Sequence, residues 1–391
     1  TGTFLAEVVK HIYQKFKGQQ GIWSKYVENH LIPRLNGFEL LMASYAMAHL
    51  KMDLLLSETG FKPTSNQRFR IYLTNSLEEH NKDTGTLFAN WLSAEANEAN
   101  HIKRDTPVMC VIGNPPYGIF LTDAEESYYQ KKYPLTNYKI NLYILFIERM
   151  FQIFDKGLIQ FIIPKSLLFN TYFKNIREHL LTKSKIHEVF MISEKIFPDA
   201  EVGGSLILKY EITENPSVSN EMKLISADKY FDYDDQVALV NNISQEFFLS
   251  VPHFEISPIA EGADKIVEKL HSLEPIRSFY TLKNGLNPGN IKHILISDTK
   301  ISSKYKPIIW GKELTPNSIQ WSGQFINYDY NIADSITLDD IKSKEGMKKQ
   351  NRIDFALRSP ELFEVEKIVV RKTGDRFIAA KDNQNYYFDT L

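Results

Sequence analysis

Val111-Ile112-Gly113-Asn114-Pro115-Pro116-Tyr117 follows Val108-Met109-Cys110, so an apolar run of strand character stops abruptly at Gly-Asn-Pro-Pro. Neither proline can continue a sheet ladder, because each lacks an N–H and has a fixed φ. The chain must leave the sheet at Asn114, at the carboxyl end of the strand, where open α/β sheets bind ligands. Asn114 offers a side-chain carbonyl acceptor, and the proline after it pushes it toward extended geometry. Pro115 offers a backbone carbonyl with no competing donor. Tyr117 adds a flat aromatic face with a polar tip. Two acceptors beside one stacking ring suit a planar heterocycle with an exocyclic NH₂. The structural alternative is a strand ending in a rigid turn.

Asn114-Pro115-Pro116-Tyr117 resembles the catalytic motif of the amino-group DNA methyltransferases, specifically the adenine enzymes. The C-terminal part, with its turn-rich Lys283–Asn290 and the strand-like pieces 307–314 and 367–374, resembles the start of a target-recognition domain in Type I-SP and Type IIG restriction–modification enzymes. The resemblance implies an α/β fold. A Rossmann-like S-adenosylmethionine-dependent methyltransferase sheet, with helices on both faces, would occupy residues 1–250. A mixed α/β target-recognition region would occupy 251–391. It implies methyl transfer from S-adenosylmethionine to the N6 amino group of an adenine flipped out of double-stranded DNA. It also implies nuclease or translocase domains on the same parent polypeptide.

Composition agrees with a globular protein of two or three domains: 391 residues, 43% hydrophobic and 24% charged. The net charge of −2 excludes a uniformly basic nucleic-acid binder but not a local basic face. Residues 1–270 carry 28 Lys+Arg against 33 Asp+Glu, a net of −5; residues 271–391 carry 18 against 15, a net of +3. That asymmetry points to a DNA-facing C-terminal part. The single cysteine, Cys110, lies in the apolar strand and reads as core. It allows no intrachain disulfide, and no Cys/His cluster has zinc spacing, so no metal site is expected. The longest apolar run, Leu142–Phe154, is interrupted by Glu148 and Arg149 and is too short to span a bilayer. A cytoplasmic protein without a membrane segment is expected.

Thr1-Gly2-Thr3-Phe4 opens a helical pattern of Val8, Val9, Ile12, Tyr13 and Phe16. It resembles the end of the family's cofactor loop. The acid, the proline and the first glycine that precede it in the family are not in this sequence, nor is the strand before them. The expectation is therefore a chain cut inside the cofactor motif, with weak cofactor binding by this piece and activity in a longer parent. Pro33–Glu39 reads as a short strand ending in an acid. Glu39 suits ribose hydroxyls, or a helix N-terminus. Arg70–Leu77 reads as the next strand, and by resemblance Asn75 contacts the cofactor's adenine; a turn or cap is its structural alternative. Residues 78–104 read as a surface helix and loop, and Gly118–Thr136 as irregular.

Asn141–Phe154 reads as a buried helix, followed by strands at 157–164, 186–192 and 205–210; residues 212–254 read as polar and mixed. Phe197 matches, by position, an aromatic that stacks on the flipped base opposite Tyr117; a core Phe is the alternative. In the turn-rich C-terminal part, Lys283, Lys292, Lys312, Arg371, Lys372 and Arg376 are candidates for phosphate or base contacts. Three other readings stay open. The chain is a catalytically incomplete DNA-binding specificity fragment; or it holds a nuclease, suggested by Asp354 and Glu364-Val365-Glu366-Lys367; or it methylates cytosine N4 or a protein amide. The absence of a nucleophilic Cys beside the prolines argues against a cytosine-C5 enzyme.

Overall fold

A computed structural model describes residues 1–78, 87–118, 121–136, 140–192, 204–214, 216, 219–227, 239–257, 264–336, 353, 355–373 and 376–389. The chain divides into two units, Thr1–Leu273 and Glu274–Leu391.

The first unit opens with helix α1 (Thr3–Lys15), then strand β1 (Asn36–Glu39), helix α2 (Met42–Glu58) and strand β2 (Arg70–Leu73). Gly2 sits at φ 68° with Ala48 of α2 beside it; a Cβ there would come within 3.0 Å of the Ala48 Cβ. Only glycine lets the chain turn into α1 against that helix. β1 and β2 form a two-stranded parallel pair. Helix α3 (Leu87–Asp105) packs on β2. It is not the surface helix expected. Glu95, Asn100 and Lys103 are buried on it, and Glu95 Oε1 accepts the Leu73 N–H at 3.1 Å. A side chain thereby occupies a backbone donor of β2.

A six-stranded sheet carries the rest of the unit: β3 (Cys110–Gly113), β4 (Gly157–Pro164), β5 (Ser184–Ile192), β6 (Ser205–Ile212), β7 (Glu221–Ala227) and β8 (Leu239–Ser244), in the order β3-β4-β6-β5-β7-β8. The α/β class is the one expected. The sheet is mixed, because β6 inserts between β4 and β5 and runs antiparallel to both. Val189, Phe190, Met191 and Ile192 are all buried. Their side chains alternate between two apolar clusters, so this strand is covered on both faces. Helices α5 (Leu142–Ile153) and α6 (Lys174–Lys183) supply Tyr143, Ile144, Ile147, Ile176 and Leu180 to the larger cluster. Met222 and Leu224 also enter it, so the polar stretch 212–254 hides two strands whose alternate residues are apolar.

Two further expectations are corrected. Gly118–Thr136 contains helix α4 (Asp123–Lys132). Its start is a capping box, with the Thr122 side chain accepting from the Glu125 N–H and the Glu125 carboxylate accepting from the Thr122 N–H. Cys110 is exposed rather than core. β3 is an edge strand, and Cys110 and Ile112 lie on its exposed face.

Residues 252–256 belong to the first unit for a physical reason. The fully buried Arg177 guanidinium donates to the carbonyls of Leu167, Asn170, His253 and Phe254. Ile256 N–H donates to the Leu168 carbonyl at 3.0 Å. Helix α7 (Asp264–His271) closes the unit.

The second unit is built from short strands: β9 (Ile296–Ser297), β10 (Tyr305–Ile309), β11 (Leu314–Thr315), β12 (Ser318–Ile319), β13 (Phe325–Asn327), β14 (Lys367–Val370), β15 (Ala379–Asp382) and β16 (Tyr387–Phe388). They make one four-stranded sheet, β16-β10-β13-β9, and two antiparallel pairs, β11-β12 and β14-β15. Two apolar clusters hold them, one around Trp310, Ile326, Phe363 and Tyr387, the other around Ile309, Leu314, Val369 and Ile378.

Candidate active site

β3 ends at Gly113, which pairs with Phe161 of β4. Asn114 is the next residue and is exposed, while Pro115 is buried. Tyr117 turns back to the sheet. Its hydroxyl donates to the Ile162 carbonyl at 3.0 Å, one residue past the last β3–β4 pair. Burial pushes the Tyr117 phenol well above its ordinary range, so it stays protonated. The ring meets Tyr143 edge-on at 6.3 Å. Tyr143 meets Phe173 at 5.9 Å, and its hydroxyl is 2.9 Å from Ser166 Oγ. The loop is thus anchored on both sides of Pro116, and Asn114 stands free of the packing. Phe197 lies outside the described residues.

The cofactor candidates cluster around the ends of β1 and β2. The Thr1 main-chain nitrogen donates to Glu39 Oε1. Thr3 Oγ1 accepts from Lys51 Nζ at 3.2 Å, and Phe4 lies in the first turn of α1. The Thr74 N–H donates to the Glu39 carbonyl at 2.8 Å, which joins the two loops. Asn75 does what its structural alternative requires: Oδ1 accepts the Leu77 N–H and Nδ2 donates to the Tyr129 hydroxyl. Lys103 grips the same turn from α3. Its Nζ donates to Thr74 Oγ1 at 3.1 Å and to the Asn75 and Glu78 carbonyls, and lies 5.3 Å from the Phe38 ring centroid. Sequence reading missed Lys103 and Glu95, since in a polar helix nothing marks which charged residues turn inward.

In the second unit Lys283, Lys312, Lys372 and Arg376 are exposed and Arg371 is half-buried. Lys292 stands apart: its Nζ lies 3.5 Å over the Trp310 ring. The acidic run 364–367 is engaged in ion pairs. Glu364 takes Lys306, Glu366 takes Lys381, and Lys367 pairs with the buried Asp382 at 2.5 Å. Asp354 lies outside the described residues. Among the described residues no group of three or more His, Cys, Asp or Glu could hold a metal ion. Nor, among them, is any helix long and apolar enough to cross a membrane.

With this geometry in place, residues 36–197 match the Eco57I restriction-modification methylase family, and residues 306–390 match the TaqI-like C-terminal specificity domain. Residues 36–197 are thus similar to restriction-modification methylases, and residues 306–390 to a specificity domain. The methylase match runs from β1 through β5 and includes the Asn114–Tyr117 loop; the specificity match covers most of the short-stranded unit. Among its relatives is a Methanocaldococcus jannaschii protein named as a type II restriction enzyme and methyltransferase. The two are 25% identical over 276 residues, which is 70% of this chain and 22% of that one. Another is the type II methyltransferase M.BsuBI of Bacillus subtilis, 30% identical over 122 residues, 30% of this chain and 24% of that one. The chain therefore spans less than a quarter of the length of either relative. A solved complex of DrdV with DNA aligns over 76% of this chain and 32% of that chain, at 14% identity and a TM-score of 0.47.

Proposed function

We propose that this chain is the methyl-transferring and target-reading part of an N6-adenine DNA methyltransferase that uses S-adenosylmethionine. One observation carries the reading. Asn114 is exposed immediately past the carboxyl end of β3, on a loop whose next residues are anchored by Pro115 burial and the Tyr117–Ile162 hydrogen bond. Only an acceptor with a fixed position can direct the lone pair of an amino nitrogen. The Asn114 side-chain carbonyl and the Pro115 carbonyl accept from the two amino hydrogens. This draws the nitrogen lone pair out of conjugation and aims it along one line. The Tyr117 ring stacks on the base, worth about 1–3 kcal/mol, and Phe197 is assigned the opposite face. Together they offset the few kcal/mol, roughly, of extruding a base from the duplex.

The residues fit the ribose and adenine end of the cofactor. Glu39 is half-buried beside the Thr1–Thr3 loop, and its carboxylate presents acceptors to ribose hydroxyls. Asn75 Oδ1 keeps a second lone pair beyond its Leu77 bond. When bound, the cofactor supplies an electrophilic methyl group on a sulfonium. The chain's own part is to orient the amino nitrogen and exclude water. Lys283, Lys312, Arg371, Lys372 and Arg376 are the proposed source of contacts to double-stranded DNA; Lys292 is engaged with Trp310 instead. Nuclease or translocase domains on the same polypeptide belong to the same proposal.

Asn114→Ala tests it. Single-turnover methylation of duplex DNA should fall by roughly 10²–10³, the cost of losing one preorganised hydrogen-bonding group. Cofactor affinity by calorimetry should stay within about twofold, because Asn114 serves the base. An Asn114→Ala protein that methylates at the normal rate would remove Asn114 from the mechanism.

A further inference from the structure

β14 and β15 form an antiparallel ribbon, with Val370 opposite Ala379. The Arg371 N–H donates to the Ile378 carbonyl at 2.9 Å, extending the ladder toward the tip. The inner face is settled: Val369, Ile378 and Ala380 are buried with Ile309 and Leu314. The outer face is not. Ile368 is 56% exposed, Val370 40% and Phe377 76%. Between the two strands the sequence includes Arg371-Lys372-Thr373 and Arg376-Phe377, with three cations. An apolar strip this exposed needs a partner, and three cations beside it suit a polyanionic one.

We propose that the β14–β15 ribbon enters a groove of duplex DNA. Phe377, Val370 and Ile368 face base edges, and Arg371, Lys372 and Arg376 reach the phosphates on either side. This rests on the reading that the chain binds double-stranded DNA, and it names the element and the residues that read sequence. Three observations converge on it. The major groove is about 12 Å wide and admits a two-stranded β-ribbon. Apolar side chains there contact the thymine methyl group, which makes Phe377 a specificity-determining residue at a T·A pair. The ribbon's charge is complementary to a polyanion and its position lies inside the matched specificity region. The Lys381–Glu366 pair near the base of the ribbon is already neutralised.

The test uses the protein with duplex DNA and two readouts: the methylated sequence motif in genomic DNA of an expressing host, and the salt dependence of duplex binding. Phe377→Ser should leave the melting temperature unchanged, since the ring is exposed. It should also relax one motif position or cut methylation at least tenfold. Lys372→Gln should lower the slope of log K against log[salt] by about 0.9, with the motif unchanged. Lys300→Gln, an exposed cation off the ribbon, should change neither. The proposal is overturned if wild-type protein binds duplex in a salt-dependent way while Phe377→Ser and Lys372→Gln match it in both readouts. An equal slope change from Lys300→Gln overturns it as well. So does a Phe377→Ser protein that changes its sedimentation but not its DNA readouts, which would assign the strip to a protein contact. If wild-type protein shows no salt-dependent duplex binding at all, the DNA-binding reading itself fails, and this one with it.

Discussion

The two units differ in where they keep their cations. In the first, buried charged side chains grip backbone: Arg177 holds four carbonyls, Lys103 holds a turn, Glu95 holds a strand N–H. In the second, buried Glu313 and Asp382 also accept backbone N–H groups, but among the described residues no Lys or Arg is buried, and aromatic clusters gather around Trp310, Phe363 and Tyr387. The proposed methyl transfer needs loops fixed to within fractions of an ångström, and hydrogen bonds from side chain to backbone do that. A surface that meets a polyanion must keep cations in water until the partner arrives. The contrast predicts where substitutions of charged residues act: on stability and loop geometry in the first unit, on binding in the second.

The largest effect expected is from Arg177→Met. It keeps much of the volume and removes every donor to the Leu167, Asn170, His253 and Phe254 carbonyls. Orphaned buried acceptors cost about 1–3 kcal/mol each, and relaxation shares the loss, so unfolding by urea should show a deficit of about 3–5 kcal/mol. A loss below about 1 kcal/mol would mean the clamp does not tie 252–256 to the first unit.

Glu148 comes next, and its effect depends on pH. It is buried on α5, where its carboxylate accepts the Leu135 N–H and the Thr136 hydroxyl. Desolvation still outweighs those bonds and raises its pKa to about 7. The folded state therefore holds this proton more tightly than the unfolded chain does. Stability is greatest below the unfolded pKa near 4.5, falls as pH rises toward 7, and is flat above. Glu148→Gln removes that slope and should be about 2–3 kcal/mol more stable than wild type at pH 8. Denaturation at pH 5 and pH 8 measures it; equal pH slopes in the two proteins would show that Glu148 is not the titrating group.

Lys103→Met is expected to act on the cofactor end of the site at a smaller cost, about 1–3 kcal/mol of stability. The Thr74–Glu78 turn loses its central donor, so calorimetry should show weaker S-adenosylmethionine binding, by about tenfold. Duplex affinity should be unchanged. Undiminished cofactor affinity would place the adenine pocket elsewhere.

Much of the six-stranded sheet was legible because its inner strands β4 and β5 are long and apolar. Gly157–Pro164 is nearly continuous in apolar residues, and so is Val189–Ile192, and such runs identify themselves. Asn114 was legible because two prolines after an apolar strand leave the chain few options. β7 and β8 were not, because alternation with Lys and Asn looks like a polar segment until the register is known. The capping box Thr122-x-x-Glu125 was in plain sight, but Tyr-rich surroundings without a clear apolar stripe concealed the helix after it. Cys110 misled because apolar neighbours do not reveal that a strand lies at an edge. In the second unit two- and three-residue strands carry no period to detect, so its fold is decided by contacts distant in sequence.

The smallest effect is the one that bears most directly on the contrast between the units. Lys292 is a surface lysine of the second unit, and by charge alone it would be counted among the DNA contacts. Its Nζ, however, lies 3.5 Å over Trp310, whose indole N–H is fixed by Gln324. A cation held over an indole at an exposed site contributes about 0.5–1 kcal/mol. Leaving that ring for a phosphate would forfeit the same amount, so Lys292 gains little by moving. Lys292→Met should therefore lower stability by less than about 1 kcal/mol and leave the salt slope of duplex binding where it was, while Lys372→Gln reduces it. If Lys292→Met lowers the slope by about one phosphate's worth, the second unit does use its internally engaged cations on DNA. The division between gripping charges and binding charges would then hold within the first unit only.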